Sequence, residues 1–294
     1  MIRQAETLDS ERPRTQDAPV LDALTELLRR CASVEILPRQ PPPASAGEFI
    51  EPWRGEVVTD ADLAAERFLR RELREIRPLP VLGEESAKAH PEELRIIDSA
   101  ASYWLVDPID GSAAFAAGRP GFGLMVALVE DHRAQACAIY RPRLDSMATA
   151  VRGQGAHIDG ELLLASHAPD TTWLGGPLYV GFFDADTQSR AEQLASSLNP
   201  VRSQMDYAAC LEYPALAKGD KDFLIYGRLR PWDHLPGALL VEEAGGRVAH
   251  LHTGQPLDAR MQFGPLLATH TASMWTTMQE RLSKVFEFAT PKRP

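Results

Sequence analysis

Residues 104–115 read WLVDPIDGSAAF. An apolar run ends in two aspartates, Asp107 and Asp110, set three positions apart, and Gly111 and Ser112 follow at once. The run has the length and composition of a buried strand. The glycine and hydroxyl residue behind it have the chemistry of a turn that offers backbone N–H groups to an anion. Two carboxylates beside an anion site repel each other and the anion alike, so a positive centre is expected between them. A hard cation held by oxygen ligands meets that need, and magnesium is the usual one where phosphate also binds.

The rest of the chain narrows the field. Its 294 residues are 44% hydrophobic and 24% charged, the composition of a soluble globular protein with room for one large domain or two ordinary ones. A formal net charge of -10 removes the basic footprint that a nucleic-acid polymer requires. No stretch is apolar for long enough to span a membrane, and the charged, proline-containing residues 1–19 carry no leader-like apolar segment and are expected to be disordered. Cys31, Cys137 and Cys210 are odd in number and far apart, which fits a reducing cytosol and neither a disulfide framework nor a structural zinc site. A cytoplasmic location is expected.

Hydrophobic periodicity predicts a first helix over residues 20–36, with Leu21, Leu24, Leu28 and Cys31 on one side. The prolines at 38 and 41–43 end it, and a linker reaches about Gly55. A second helix starts near VTDAD, capped by Thr59 or Asp60, with Leu69, Leu73 and Ile76 continuing its buried stripe. Short apolar runs from LPVLGEES onward predict strands, and residues 121–165 read as antiparallel neighbours, Asp159-Gly160 being the clearest turn. Beyond residue 168 strands and helices alternate, ending with a helix from Asp233 in which Pro236 is expected in the first turn, a stop at Gly245-Gly246, and the strand RVAHL.

Several acids stand at the ends of these elements and not on solvated helix faces: Asp62, Glu84, Glu85, Asp107, Asp110 and Asp233. Converging carboxylates with a backbone carbonyl would hold hard cations, and two metals sharing one carboxylate could clamp the attacking and leaving oxygens of an in-line displacement. Taken alone, Asp107 and Asp110 could equally cap a turn, and Asp62 could serve only as a helix N-terminal charge. Glu85 reads either as a base behind the ligands or as a solvated neighbour. His234, lone in a first helical turn, is not assigned to a metal.

In this setting WLVDPIDGSAAF resembles the Asp-Pro-x-Asp-Gly-Thr/Ser signature of the inositol monophosphatase family of magnesium-dependent, lithium-sensitive phosphatases. VTDAD, GEES and PWDHLPGALLVEEAGG follow the family's other motifs in order, and the resemblance covers roughly residues 20–270. It implies a layered αβαβα sugar-phosphatase-like fold of mixed α+β and α/β character. In it, residues 20–166 would form an α+β domain with an antiparallel sheet and most ligands, and residues 167–294 an α/β domain completing the site.

Motif by motif, the resemblance implies two or three magnesium ions. Glu84, Asp107 and the Ile109 carbonyl would hold one; Asp107, Asp110 and Asp233 would hold a second. Ser112 and Asp62, with Glu84, would position and activate the attacking water. Gly111 and Ser112 would receive the phosphate, with Asp110 and Asp233 beside the substrate. A homodimer is expected.

Departures fall on the substrate side. Ala114 stands where the family commonly has asparagine, IEPWRGE where a lysine is common upstream of the VT motif, and YAAC (207–210) where many members carry Gly-Ser/Thr-Ala-Ala. The acidic residue that contacts the polyol falls at Tyr226 or a near neighbour. The implied function is hydrolysis of a small phosphorylated alcohol, such as an inositol or sugar phosphate. A nucleotide 3′-phosphate, histidinol phosphate, or a non-catalytic metal- or phosphate-binding regulatory role are the alternatives. An aspartyl nucleophile of the Asp-x-Asp type fits less well, since these aspartates are three apart.

Overall fold

The computed structural model describes residues 18–43, 57–164 and 174–287. The expected disordered N-terminus, most of the linker to Gly55, the IEPWRGE segment and the expected domain boundary near residue 166 lie largely or wholly outside the described residues.

Helix α1 (Ala18–Cys31) buries Leu24, Leu28 and Cys31 as its periodicity predicts, and α2 (Asp60–Ile76) is capped by Thr59. Strand β1 (Val81–Gly83) leads into α3 (Glu84–Ala89) and α4 (Ile96–Ser99); β2 (Ser102–Asp110) then pairs parallel to β1. After the short α5 (Ser112–Ala116), a meander follows: β3 (Gly123–Glu130), β4 (Arg133–Arg141), β5 (Ser146–Val151), β6 (Gly155–Ile158) and β7 (Glu161–Leu163), each antiparallel to its predecessor. Asp159 and Gly160 both have positive φ, the geometry of the two-residue hairpin turn expected there.

The second half supplies β8 (Leu178–Tyr179), α6 (Ala185–Ala195), α7 (Ala209–Lys218), β9 (Phe223–Arg228), α8 (Pro231–Glu243), β10 (Arg247–His250), β11 (Phe263–Thr269) and α9 (Trp275–Ser283). Its sheet runs β10-β11-β9-β8, antiparallel except for the parallel β8–β9 pair.

Residues of β2 are buried alternately in two cores, which explains the layers. Trp104 and Val106 join the core under α1 and α2, whereas Tyr103 and Leu105 face the core that holds Tyr213 of α7 and Leu235 and Leu239 of α8. That same core takes in Leu224 and Leu266 of the second sheet, whose other face (Phe223, Ile225, Leu267) packs on Ala191 of α6 and Trp275 and Met278 of α9. Five layers result, αβαβα, as expected. Both sheets are covered on both faces, so their strands are near-continuous apolar runs.

Two expectations are corrected. Helix α8 begins at Pro231, not Asp233, so Pro231 takes the first position, where a missing N–H is harmless, and Pro236 falls in the second turn, where it removes a ladder donor. Strand β11 was not anticipated because Gly264-Pro265 punctuates it; the β9 pairing shifts register at that point. Among the described residues no helix is long and apolar enough to cross a membrane.

Candidate metal centre

In a regular strand, residues three apart point to opposite faces. Asp107 pairs with Met125 and Asp110 with Gly123, so β2 carries one residue more than β3 across this interval. This bulge at Pro108-Ile109 brings Asp107 and Asp110 to the same side of the sheet. Pro108 has no N–H to lose there. Gly111 then turns the chain at φ +85°, a conformation that glycine adopts without strain, and a Cβ there would run into the Gly121 carbonyl.

Three carboxylates converge from three elements: Glu84 at the start of α3, Asp107 at the end of β2 and Asp233 in the first turn of α8, with ligand oxygens all within 4.8 Å of one another. Asp107 is 1% exposed, and its Oδ1 has no hydrogen-bond partner among the described residues. Burial, and then the neighbouring acids led by Glu84, hold Asp107 well above the usual carboxylate range; burial does the same to Asp233. The donor set is all oxygen, the Asp107 acceptor is orphaned, and three acids gather where the one lysine beside them among the described residues pairs with Glu84. Each observation fits a hard divalent cation.

Asp110 lines the same cavity but lies outside that triad, and its carboxylate accepts from the Cys210 N–H at 2.6 Å. Burial pushes it up to about 6 against the backbone hydrogen bonds from Cys210 and Gly111. Ile109 also lines the cavity, and its carbonyl accepts from the Ser112 hydroxyl at 2.7 Å. Cys210 is fully buried behind Asp110.

Asp62 closes the cap of α2 and also reaches Ser112. Its Oδ2 accepts from the Thr59 N–H at 2.8 Å, closing a capping box, while Oδ1 lies 2.9 Å from Ser112 Oγ. A cap thereby fixes the rotamer of a fully buried carboxylate beside the cluster.

Glu66 was not foreseen. Four residues after Asp62 on the same face of α2, it accepts from the N–H groups of Glu85 (2.7 Å) and Ser86 (3.0 Å), pinning the turn that presents Glu84. Gly83 is required because a side chain there would run into the Glu66 carboxylate. Lys88, also unforeseen, lies 2.8 Å from Glu84 and 3.3 Å from Glu85. Glu85 is buried, not solvated, and is pushed up to about 7 by burial despite Lys88.

The cavity over Asp107, Asp110, Ser112 and Asp233 measures about 160 Å³, with Ala113 and Ala114 on its wall. It adjoins a second hollow of about 240 Å³ that shares Glu84, Asp110, Tyr207 and Asp233 and adds Tyr226 and His234. His234 is buried and pushed down to about 4. A neutral ring whose Nε2 is 3.1 Å from the Arg228 carbonyl must donate there, so Nδ1 accepts from the Tyr213 hydroxyl at 3.0 Å. Both ring nitrogens are thus engaged, and the ring braces the wall.

Five αβαβα layers with carboxylates gathered at the end of a central strand define a sugar-phosphatase-like fold. The sequence model of the inositol monophosphatase family matches residues 46–289. A protein of Streptomyces griseus named glucose-1-phosphate thymidylyltransferase is 37% identical over 216 residues, covering 70% of this chain and 77% of its own length. Nus factor SuhB of Escherichia coli K12 is 30% identical over 219 residues, covering 71% and 77%. The solved inositol monophosphatase of Thermotoga maritima superposes with a TM-score of 0.72 at 24% identity, covering 92% of this chain and 98% of its own. The chain belongs to the inositol monophosphatase family, a family of metal-dependent phosphatases.

Proposed function

We propose that the chain is a magnesium-dependent phosphomonoesterase that hydrolyses a small phosphorylated alcohol without a covalent phospho-enzyme. The observation that carries this reading is the Glu84–Asp107–Asp233 triad, half-buried around a buried Asp107 with an orphaned oxygen, beside the Ser112–Asp62 pair. In this reading Glu84, Asp107 and the Ile109 carbonyl would hold one ion and Asp107, Asp110 and Asp233 a second, with Asp107 common to both sets. Residues 20–166 then supply most ligands, and residues 167–294 supply Asp233 and the alcohol side.

When bound, magnesium supplies charge neutralisation on the phosphoryl oxygens and lowers the pKa of water. The chain's own contribution is positional. Ser112 has one proton to give, to Asp62 or to the Ile109 carbonyl, which leaves its oxygen lone pairs for an incoming water. Asp62, locked by its cap, is the proton acceptor on the far side of that hydroxyl. The Ser112 N–H, at the turn after Gly111, faces the phosphate.

A regulatory reading draws on the E. coli relative's name, Nus factor, but a chain without turnover would have little use for this carboxylate set. Phosphate release from a panel of alcohol phosphates, with magnesium and with chelator, tests the proposal. Magnesium-dependent release is expected, and no release from any ester would overturn it. Lithium inhibition, a cytoplasmic location and a homodimer, checked by light scattering, belong to the same reading.

A further inference from the structure

The Gly111–Ser112 turn leans on a loop that the metal centre does not touch. After α5 the chain folds back through residues 117–122. The Gly118 N–H donates to the Phe115 carbonyl at 2.9 Å and the Arg119 N–H to the Ala114 carbonyl at 2.8 Å, while the Phe115 and Phe122 rings meet edge to face at 5.1 Å. Gly121 shares the cavity wall with Ala113 and Ala114, and its carbonyl stands 2.5 Å from where a Gly111 Cβ would be. Where this loop sits therefore sets where the turn sits.

A segment from far upstream in the chain holds the loop from outside. Ile36 is buried in the core that also holds Ile109, Phe115 and Phe122. The short 3-10 turn Leu37–Arg39 follows and ends at Gln40, which is extended at φ -67° and ψ 125°, the conformation favoured before a proline. Pro41, Pro42 and Pro43 come next, with their φ angles fixed before any contact forms. Pro42 lies directly on the loop, since a Cβ on Gly118 would stand 2.6 Å from the Pro42 carbonyl.

Gln40 joins three pieces of the chain. Its Nε2–H donates to the Arg119 carbonyl at 2.9 Å, and its Oε1 accepts from Arg143 Nε at 2.7 Å and from Nη2 of the same guanidinium, in the turn between β4 and β5. The carbonyl takes donors and the amino group gives one, so the amide cannot turn over without losing both contacts. Residues 37–43 do not line the cavity, and their effect on it passes through the loop.

We infer that Gln40 is a positioning residue for the phosphate. By tying the Arg119 carbonyl to the proline segment and to Arg143, it keeps the 117–122 loop in the place that sets the Gly111–Ser112 turn. The inference rests on the phosphatase reading for what that turn meets. A residue that merely tethered the N-terminal helix would change stability and leave anion affinity alone.

The test uses the full chain and inorganic phosphate as the probe. Gln40→Ala removes both contacts. Gln40→Glu keeps an acceptor for Arg143 and removes the donor to the Arg119 carbonyl, so it isolates the loop contact. Calorimetry of phosphate binding to the magnesium-saturated protein should show both variants weaker by about three- to tenfold, the size of one lost side-chain hydrogen bond. KM for the ester that turns over best should rise in proportion, with kcat within about twofold and magnesium affinity in the absence of phosphate unchanged. Arg143→Ala, which frees the amide from behind, should shift phosphate binding in the same direction by less. Phosphate binding unchanged in both Gln40 variants would overturn the inference and leave the phosphatase reading standing; an equal fall in magnesium affinity, the mark of general loosening, would also overturn it. Weaker phosphate binding in the variants, with no ester hydrolysed by the wild type, would support the positioning role and sink the phosphatase reading. A wild type that bound no phosphate would overturn both.

Discussion

On one side of Asp233 the cavity has a floor of carboxylates, and on the other a wall of tyrosines and arginines. Floor residues sit at the ends of regular elements: Glu84 opens α3, Asp107 closes a run of β2 pairs, and Asp233 lies in the first turn of α8. Backbone geometry places them, and the short motifs around them carry the information. Wall residues come from β8, the loop before α7 and β9, and a buried Glu212–Lys221 pair holds two of them in place. On the proposed reading the floor would hold the charge chemistry and the wall would meet the alcohol. Mutations should therefore separate rate from selection.

Asp107→Asn should have the largest effect, a fall in turnover of at least about 100-fold, because it removes the most buried charge from the transition-state cage. Phosphate-release kinetics check this, and near wild-type turnover would remove Asp107 from the site. Ser112→Ala should follow, lowering kcat by about 100-fold while KM changes little, the pattern of a group that acts on the water. Glu66→Gln touches no substrate but loosens the turn that presents Glu84, so magnesium affinity should weaken by roughly tenfold; titration calorimetry reads this directly. Glu212→Gln should leave magnesium affinity unchanged and raise KM several-fold by loosening Tyr179 and the Tyr207 turn. If Glu212→Gln instead weakened magnesium binding as much as Glu66→Gln, floor and wall would not be separable.

How far the sequence carried the account follows the same division. Asp107, Asp110, Glu84 and Asp233 were legible because strand ends, a glycine turn and a helix start have local signatures. The bulge that aligns the two aspartates was not, although Pro108 stands at the spot; register depends on what the partner strand β3 does. Glu66 could have been found, since it lies one helical turn after Asp62. Lys88 could have been found too, four residues after Glu84 on the same short helix; the link from Tyr179 to Glu212, 33 residues apart, had no local signature because only the tertiary fold creates it. The displaced start of α8 shows the reverse, where a proline rule was applied to Pro236 although Pro231 stood in the position that suits it.

The central claim is that the buried acids are built around a cation, and linkage gives it a signed test. Asp107 and Asp233 are held well above the usual carboxylate range and Asp110 at about 6. Without a cation, their contribution to stability is fully present below the usual carboxylate pKa of about 4 and is lost as pH rises through the folded values. A bound cation restores it by favouring the ionised forms. His234, held at about 4, acts in the opposite sense, losing its contribution as pH falls through that value. The direct measurement is the melting temperature with and without saturating magnesium at about pH 5 and about pH 7.5. The account predicts a gain of several degrees at the higher pH that shrinks markedly at the lower; a melting temperature indifferent to magnesium at both would contradict it.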